Sequence, residues 1–350
     1  MTAIRNGVWL DAQVFSEPAW VVPGIIPEGC CILAGRPKIG KSFLVLEIAL
    51  AVAAGTQVLG VDVEQRPVLY LALEDNERRL QRRARALLDD EPLPHDFHCI
   101  TRDQQQSAME LAAGWVRDHS DRKPLVIVDT LEKIRPKRGQ SVYQDDYQVG
   151  DLLQSLLTKD GAVAAVHHTR KAVSEDFLDD LSGSLGLAGS VDTVITLKRD
   201  RSGSDGTLSV TGRDVEEMVY ALTFTDGKWK ADGESLAAAA SKATEKKLSQ
   251  KMQATLEVVN SFGETTAADV ATVTDIKEST ARQYLRRLCD EHRLITRIDT
   301  GTYSSVTASQ VSHDSVYSKS TDELRGDTAN EGGDTLANQV PQQELVLTGS

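Results

Sequence analysis

Apolar residues in the first two-thirds of the chain fall into short runs, and those runs alternate with stretches of helical period. Cys30–Ala34, Pro67–Leu73, Pro124–Asp129, Ala162–His167 and Thr193–Lys198 are brief and almost wholly apolar, as strands buried on both faces are. Ser42–Leu50 and Glu77–Arg83 read as helices between them, with Gly55 as a stop for the first. The alternation predicts an α/β fold built on a mostly parallel sheet. Thr207–Thr211 and Val219–Thr225 add a β-rich finish. The leading segment Trp9–Pro27, with Trp20, Pro23 and Pro27, is predicted to pack across the edge of that core.

The pattern changes near residue 232. Ala231–Ser249, which includes four consecutive alanines from Ala237 to Ala240, reads as a linker or a solvated helix. Gln250–Val306 then has a small pattern of its own. Gln250–Phe262 is amphipathic, and Thr265–Ala271 opens a second helix behind a capping threonine. A turn at Thr274-Asp275 leads to a third helix, Lys277–Leu288. Leu294–Ile298 and Thr302–Val306 flank Asp299-Thr300-Gly301, a hairpin turn. The order is that of a winged helix-turn-helix. Its predicted core is Leu256, Val259, Phe262, Val270, Leu285, Leu288 and Ile295. From Thr307 onward large apolar residues become rare, and the tail is predicted to be disordered. The expected division is 1–232, a core; 233–249, a linker; 250–306, the winged unit; and 307–350, the tail.

The chemistry begins where the first strand meets the first helix. Gly35-Arg36-Pro37-Lys38-Ile39-Gly40-Lys41-Ser42 fits GxxxxGK[ST], the phosphate-binding loop. Such a loop turns backbone N–H groups and a helix N-terminus toward a polyphosphate. Lys41 supplies a point charge to the β- and γ-phosphates, and the Ser42 hydroxyl can ligate Mg²⁺. ATP and Mg²⁺ are therefore the expected ligands, with Gly35, Pro37, Lys38, Ile39, Gly40, Lys41, Ser42 and Phe43 as the loop residues around them. Asp129 ends an apolar strand and is placed to hold the Mg²⁺ shell. Hydrolysis also needs a carboxylate to orient or polarise water. Glu74 at the end of Val68–Asp75 fits, with Asp75 as the alternative. His167 and His168 are neighbours on a strand and point to opposite faces, so they do not readily share a metal. A neutral imidazole contacting the γ-phosphate or the catalytic glutamate, or a capped core histidine, remains for each. Arg199 and Arg201 end a fourth strand. As Lys41 already serves the loop, they suit either a transition-state finger offered to a neighbouring subunit or a charged hairpin edge.

Composition narrows the picture only slightly. The 350 residues carry a net charge of −13, which excludes a broadly basic nucleic-acid coat but leaves local basic surfaces open. Met1–Val14 lacks the apolar run of a signal peptide, and no stretch approaches the roughly 18 apolar residues of a membrane span. The four cysteines lack zinc spacing; Cys30 and Cys31 read as core residues on opposite faces of one strand. A reduced, cytoplasmic protein is expected.

Taken in order, the loop Gly35–Ser42, Leu73-Glu74-Asp75, Val128-Asp129-Thr130, His167-His168-Thr169-Arg170-Lys171, and Ser182-Gly183-Ser184 followed by Val191-Asp192-Thr193 resemble the RepA-like AAA ATPases of plasmids and phages, within the RecA/DnaB-type helicase superfamily. The resemblance spans about residues 15 to 230. It implies a RecA-like core in a homo-hexameric ring moving on single-stranded DNA. It also implies Glu74 as the catalytic carboxylate, Asp129 as the second acidic motif, His168 as the γ-phosphate sensor, and Arg199 with Arg201 as the cation pair acting across subunits. In such rings the loops after the central strands line the channel. Here they carry Arg135, Lys137 and Arg138, then Arg170 and Lys171, with Glu175, Asp176, Asp179 and Asp180 beside the second pair. In the winged unit Lys277, Ser279, Thr280, Arg282 and Gln283 would face duplex DNA, and Arg286, Arg287 and Arg297 its phosphates. The winged unit could instead serve protein contacts. Two functions compete: a DNA-dependent ring motor, and a nucleotide-switched regulator or recombination mediator that does not unwind.

Overall fold

The computed structural model describes residues 4–135, 142–169, 187, 189–200, 202–233 and 235–306. The chain divides into two compact units, Met1–Ser305 and Val306–Ser350, and nearly all described residues belong to the first. The predicted disordered tail lies outside the described residues.

Helix α1 spans Gly7–Asp11, followed by a small hairpin, β1 (Trp20–Val22) and β2 (Ile26–Pro27). The core then runs β3 (Gly29–Gly35), α2 (Lys41–Ala54), the hairpin β4–β5 (Gln57–Val58, Val61–Asp62), β6 (Val68–Ala72) and α3 (Glu77–Leu87). After these come β7 (Phe97–Thr101), α4 (Ala108–Asp118), β8 (Leu125–Asp129), α5 (Val142–Gln154) and β9 (Ala162–His168). Four strands finish it: β10 (Thr193–Arg199), β11 (Asp205–Gly212), β12 (Met218–Thr225) and β13 (Lys228–Ala231). They form one nine-stranded sheet in the order β13-β12-β11-β10-β3-β9-β8-β6-β7. The stretch from β10 to β7 is parallel, and β11 to β13 return as an antiparallel meander.

The expected strands are all present. Phe97–Thr101 and Lys228–Ala231 escaped the sequence reading because their mixed burial breaks both the continuous and the alternating apolar pattern. Two apolar layers cover the sheet. Cys31 belongs to one and Cys30 to the other, as adjacent strand residues must. Helix α2 is buried on nearly every side, from Leu44 to Ala53, because it lies between the sheet, α3 and the β4–β5 hairpin. Gly55 closes it in the left-handed conformation.

Two expectations need correction. The leading segment packs on the core only from Trp20, where Val21, Val22, Ile25 and Ile26 are buried. Before it, Ile4, Val8, Leu10, Val14 and Phe15 stand exposed, and α1 buries nothing. The Ala-rich stretch is neither a free linker nor a solvated helix. Leu236–Lys247 is a helix packed on β12, with Ala239 and Ala243 buried and Lys246 ion-paired to Asp205 and Asp232. Its small side chains, which suggested exposure, allow a close approach to the sheet.

Helices Gln250–Phe262, Ala267–Thr274 and Glu278–Asp290 share a separate hydrophobic cluster with a three-stranded antiparallel sheet. Its strands are Thr265–Thr266 (β14), Ile295–Asp299 (β15) and Thr302–Ser305 (β16). Thr266 and Asp269 form a reciprocal capping box, which sets the start of the middle helix. Of the predicted core residues, Phe262 alone lies outside, 61% exposed at the last turn of its helix; Met252 and Tyr303 fill the cluster instead.

Trp229 on β13 donates its backbone N–H to Glu47 Oε2 of α2 at 3.0 Å. Burial pushes the Glu47 carboxyl up to about 7, against the pull of that hydrogen bond and of Lys228 and Lys230. The folded protein thus holds this proton to a higher pH than the unfolded chain. The associated stability is complete below the ordinary value of 4.5 and is lost as pH rises through about 7. Glu47→Gln, which keeps the acceptor and removes the buried charge, is expected to melt a few degrees above the parent at pH 8 and nearly with it at pH 5, since 1 kcal/mol is about 2–4 °C at this size. Thermal melts followed by circular dichroism check this; a less stable variant at pH 8 would show that the charge itself is needed.

Candidate nucleotide site

The loop Gly35–Ser42 lies at the carboxyl end of β3, the strand with four neighbours on each side. Ligands of open α/β sheets gather outside that edge. A Cβ on Gly35 would lie 2.6 Å from the Leu197 carbonyl of β10, so only glycine fits there. Gly40, at φ +102°, turns the chain into α2, whose first N–H groups face back over the loop.

Lys41 is 3% exposed. Its ammonium donates to Gly35 O at 2.5 Å, to Arg36 O at 2.9 Å and to His168 Nδ1 at 2.9 Å. Burial lowers its pKa to about 8, while Asp129, Glu132 and Glu74 pull the other way. His168 is level with Gly35 across the β3–β9 pair. Burial, then Lys41, holds it below the ordinary histidine value, so it is the neutral ring that accepts from Lys41. His168 thus stands beside the cation that a γ-phosphate would meet.

Asp129 ends β8 and is buried. Its Oδ1 accepts from Ser42 Oγ at 3.2 Å and its Oδ2 from the Tyr70 hydroxyl at 2.8 Å. Burial raises its pKa, and those two hydrogen bonds oppose the shift. Ser42 and Asp129 therefore present adjacent oxygen donors, the hard donor type that Mg²⁺ takes. Among the described residues no group of three His, Cys, Asp or Glu could hold a metal unaided. A Mg²⁺ on this pair fits as one that completes its shell with water and phosphate oxygens.

The two carboxylates at the β6 tip have different surroundings. Asp75 is buried and clamped by Arg79 and Arg83 of α3, and Arg79 also donates to the Glu74 carbonyl. The Glu74 side chain is about half exposed, its Oε1 3.8 Å from Lys133 Nζ. Asp75 is thus occupied in fixing α3, and Glu74 is the carboxylate open to the site. His167 points to the opposite side from His168. Its Nδ1 lies 3.0 Å from Glu132 Oε1 but out of hydrogen-bond alignment.

Arg199 is engaged within its own chain. Its Nε donates to Ile39 O at 3.1 Å and its Nη1 to Gly203 O at 2.8 Å, and its guanidinium lies 4.4 Å over the Phe224 ring. Arg201 lies outside the described residues, as do Lys137, Arg138, Arg170, Lys171, Glu175, Asp176, Asp179 and Asp180. Phe43 packs edge-on against Phe224 and lies beneath the Arg83 guanidinium. Sequence reasoning missed Tyr70, Arg83 and Trp229. Tyr70 carries a polar tip inside an otherwise apolar strand, which is a legible signal. Trp229 has none, because it reaches the loop from a strand far along the chain.

The AAA domain family matches residues 7–174. That match takes in the phosphate-binding loop and the parallel strands β3 and β6 to β9. No curated protein matches the chain. Similar solved structures include the KaiC-like protein PH0186 from Pyrococcus horikoshii OT3, 12% identical over 62% of this chain and 98% of that one, TM-score 0.42. The RadB recombinase is 14% identical over 60% of this chain and 91% of that one, TM-score 0.40. Both likenesses are too distant to bear on function. Among the described residues no helix is long and apolar enough to cross a membrane.

A polyphosphate seated on this loop would meet the Lys41 ammonium. With a pKa of about 8, that ammonium is lost as pH climbs from 7 to 9. Affinity of the free protein for ATP is expected to fall about tenfold between those values, following the protonated fraction. In stability the sign is reversed: the folded state sheds this proton first, so Lys41 favours folding increasingly as pH rises from about 8 to 10.5. Titrations of a fluorescent ATP analogue across the range test the first statement; a flat profile would mean that Lys41 keeps its proton.

Proposed function

We propose that this protein is an ATP-hydrolysing, Mg²⁺-dependent, DNA-dependent ring ATPase of the RepA/DnaB helicase type, acting in plasmid, phage or other mobile-element replication. The observation that carries the proposal is the convergence of Lys41, Ser42 and Asp129 at the carboxyl edge of the sheet, with Glu74 open beside them.

The loop N–H groups and Lys41 bind the β- and γ-phosphates. To do so Lys41 exchanges its bonds with Gly35 O and Arg36 O for phosphate oxygens, and His168 stays in reach of the γ-phosphate through Lys41. Ser42 and Asp129 would hold Mg²⁺, which would supply charge neutralisation to the phosphates. Glu74 orients the attacking water or takes its proton. Arg201 serves as the finger supplied to the neighbouring subunit of a homo-hexamer, with single-stranded DNA in the ring. Lys41→Ala should abolish binding and turnover. Glu74→Gln should retain ATP binding while the hydrolysis rate drops by about 10²-fold or more. Normal turnover by Glu74→Gln would remove Glu74 from this role.

Residues 250–306 are proposed as a winged helix that binds duplex DNA, with 233–249 as its connection to the ATPase core of residues 1–232. In support, Glu278–Asp290 follows Ala267–Thr274 across a tight turn, and Gln283 is exposed on the outer face. The arginines there are not free: Arg282 pairs with Glu278 at 2.8 Å, Arg287 with Glu291 at 2.9 Å, and Arg297 donates to the Tyr303 hydroxyl. Phosphate must displace those acids, so binding should be weak, about micromolar, and should fall steeply with salt. Electrophoretic shifts of a duplex over a salt series check this. Replacing Arg286 and Arg287 together by alanine should weaken all sequences alike. A protein whose duplex affinity is unchanged by that pair assigns the unit to protein contacts.

A further inference from the structure

Two consecutive peptide groups of the phosphate loop are held from behind by side chains of the same chain. Strand β10 pairs with β3 only from Thr193 to Thr196, opposite Cys31 to Ala34. It then continues for Leu197, Lys198 and Arg199, so its end overhangs the loop. From there Arg199 Nε donates to the Ile39 carbonyl at 3.1 Å. From β13, Trp229 Nε1 donates to the Gly40 carbonyl at 3.0 Å. The two donors are themselves stacked. The Arg199 guanidinium lies over Phe224 at 4.4 Å and Trp229 at 5.9 Å, and the Phe224 and Trp229 rings are 4.8 Å apart. Trp229 is 1% exposed.

A trans peptide is planar, and its C=O and N–H point in opposite directions. Holding Ile39 O therefore aims the Gly40 N–H the other way, and Gly40 O, held by Trp229 together with the Phe43 and Leu44 N–H groups of α2 at 3.1 Å, aims the Lys41 N–H. Those N–H groups belong to the turn that such loops wrap around a polyphosphate. Gly40 itself is left-handed, and a Cβ on it would stand 3.0 Å from Trp229 Nε1, so the ring is fitted against this turn. We propose that Arg199 and Trp229 are positioning residues that preset the phosphate loop of their own subunit, and that Arg199 is not a finger for a neighbour. The inference rests on reading Gly35–Ser42 as the ATP site.

The test compares wild type, Lys41→Ala, Arg199→Ala, Arg199→Lys and Trp229→Phe as full-length chains. Affinity for ADP and ATP is measured by titration, and turnover by phosphate release. Arg199→Ala should raise Kd and KM about tenfold or more with kcat changed less than about threefold, the effect of losing a charge-assisted hydrogen bond made before the chemistry. Arg199→Lys should not restore affinity, because an ammonium cannot hold Ile39 O and Gly203 O while lying flat on Phe224. Trp229→Phe keeps an aromatic ring on Phe224 and loses the donor with the pyrrole half of the indole; because Gly40 O retains its α2 partners it should weaken binding less, and it carries the test alone if Arg199→Ala fails to fold. Mixing Arg199→Ala with Lys41→Ala subunits should leave KM at the raised Arg199→Ala value, since the weakened loop and its missing brace are on one chain. Unchanged Kd with kcat down about 10³-fold, or recovery in the mixture, would overturn the proposal and return Arg199 to the subunit boundary. Wild type that binds neither nucleotide would instead overturn the reading of the site.

Discussion

A buried ammonium organises this molecule. Lys41 is almost fully enclosed, and an enclosed charge is tolerated only where acceptors surround it. Here they are two loop carbonyls and the Nδ1 of His168, with Asp129 contributing at longer range. Every one of these comes from the carboxyl ends of β3, β8 and β9. The parallel order of those strands is therefore a condition for the loop to exist as well as a scaffold for it. The same enclosure makes the site responsive, because ligands to the cation are drawn from groups that a phosphate can replace.

Around that centre the carboxylates divide the work by burial. Asp129 is enclosed, and Ser42 and Tyr70 offset part of its desolvation. Asp75, one residue beyond Glu74, is used up by Arg79 and Arg83, and this fixes α3 against the end of β6. Arg83 also lies on Phe43, the first residue after the loop, so the β6 tip and the start of α2 are packed as one piece. Glu74 keeps solvent access, as does Glu132 beside His167.

Much of this was legible in the sequence, and the reason is locality. The phosphate loop, the strand before it and the helix after it are contiguous. Asp129 and Glu74 end apolar runs whose burial their composition reveals. The capping threonine ahead of the second C-terminal helix, which the structure shows to be Thr266, and the turn at Asp299-Thr300-Gly301 also act within a few residues. What escaped were pairings across long separations. Trp229 and Gly40 are 189 residues apart, and Arg199 and Ile39 are 160 apart. No local pattern encodes which carbonyl a distant donor will choose. The Ala-rich helix was misjudged for a related reason: alanine is neutral between exposure and close packing, and only the facing β12 decides.

The same long-range pairings explain how a sheet can be extended beyond its parallel part without loosening the site. The meander β11–β13 lies on the far side of β10 from the loop, yet Trp229 on its last strand reaches back to Gly40. Gly206, paired to Arg199 across β10 and β11, permits this, since a Cβ there would stand 2.7 Å from the Trp229 ring. Glu47 takes the Trp229 backbone N–H, so one residue is bonded at both its main chain and its ring to the α2 end of the loop. The helix Leu236–Lys247 then lies on β12 and ties Lys246 to Asp205 at the start of β11. A contiguous set of packed elements thus runs from the phosphate loop through the meander to the residue that precedes the C-terminal helices. A movement of Ile39 or Gly40 on ligand binding would pass into that set through Arg199 and Trp229, and into α2 through the Phe43 and Leu44 N–H groups, which also donate to the Gly40 carbonyl at 3.1 Å.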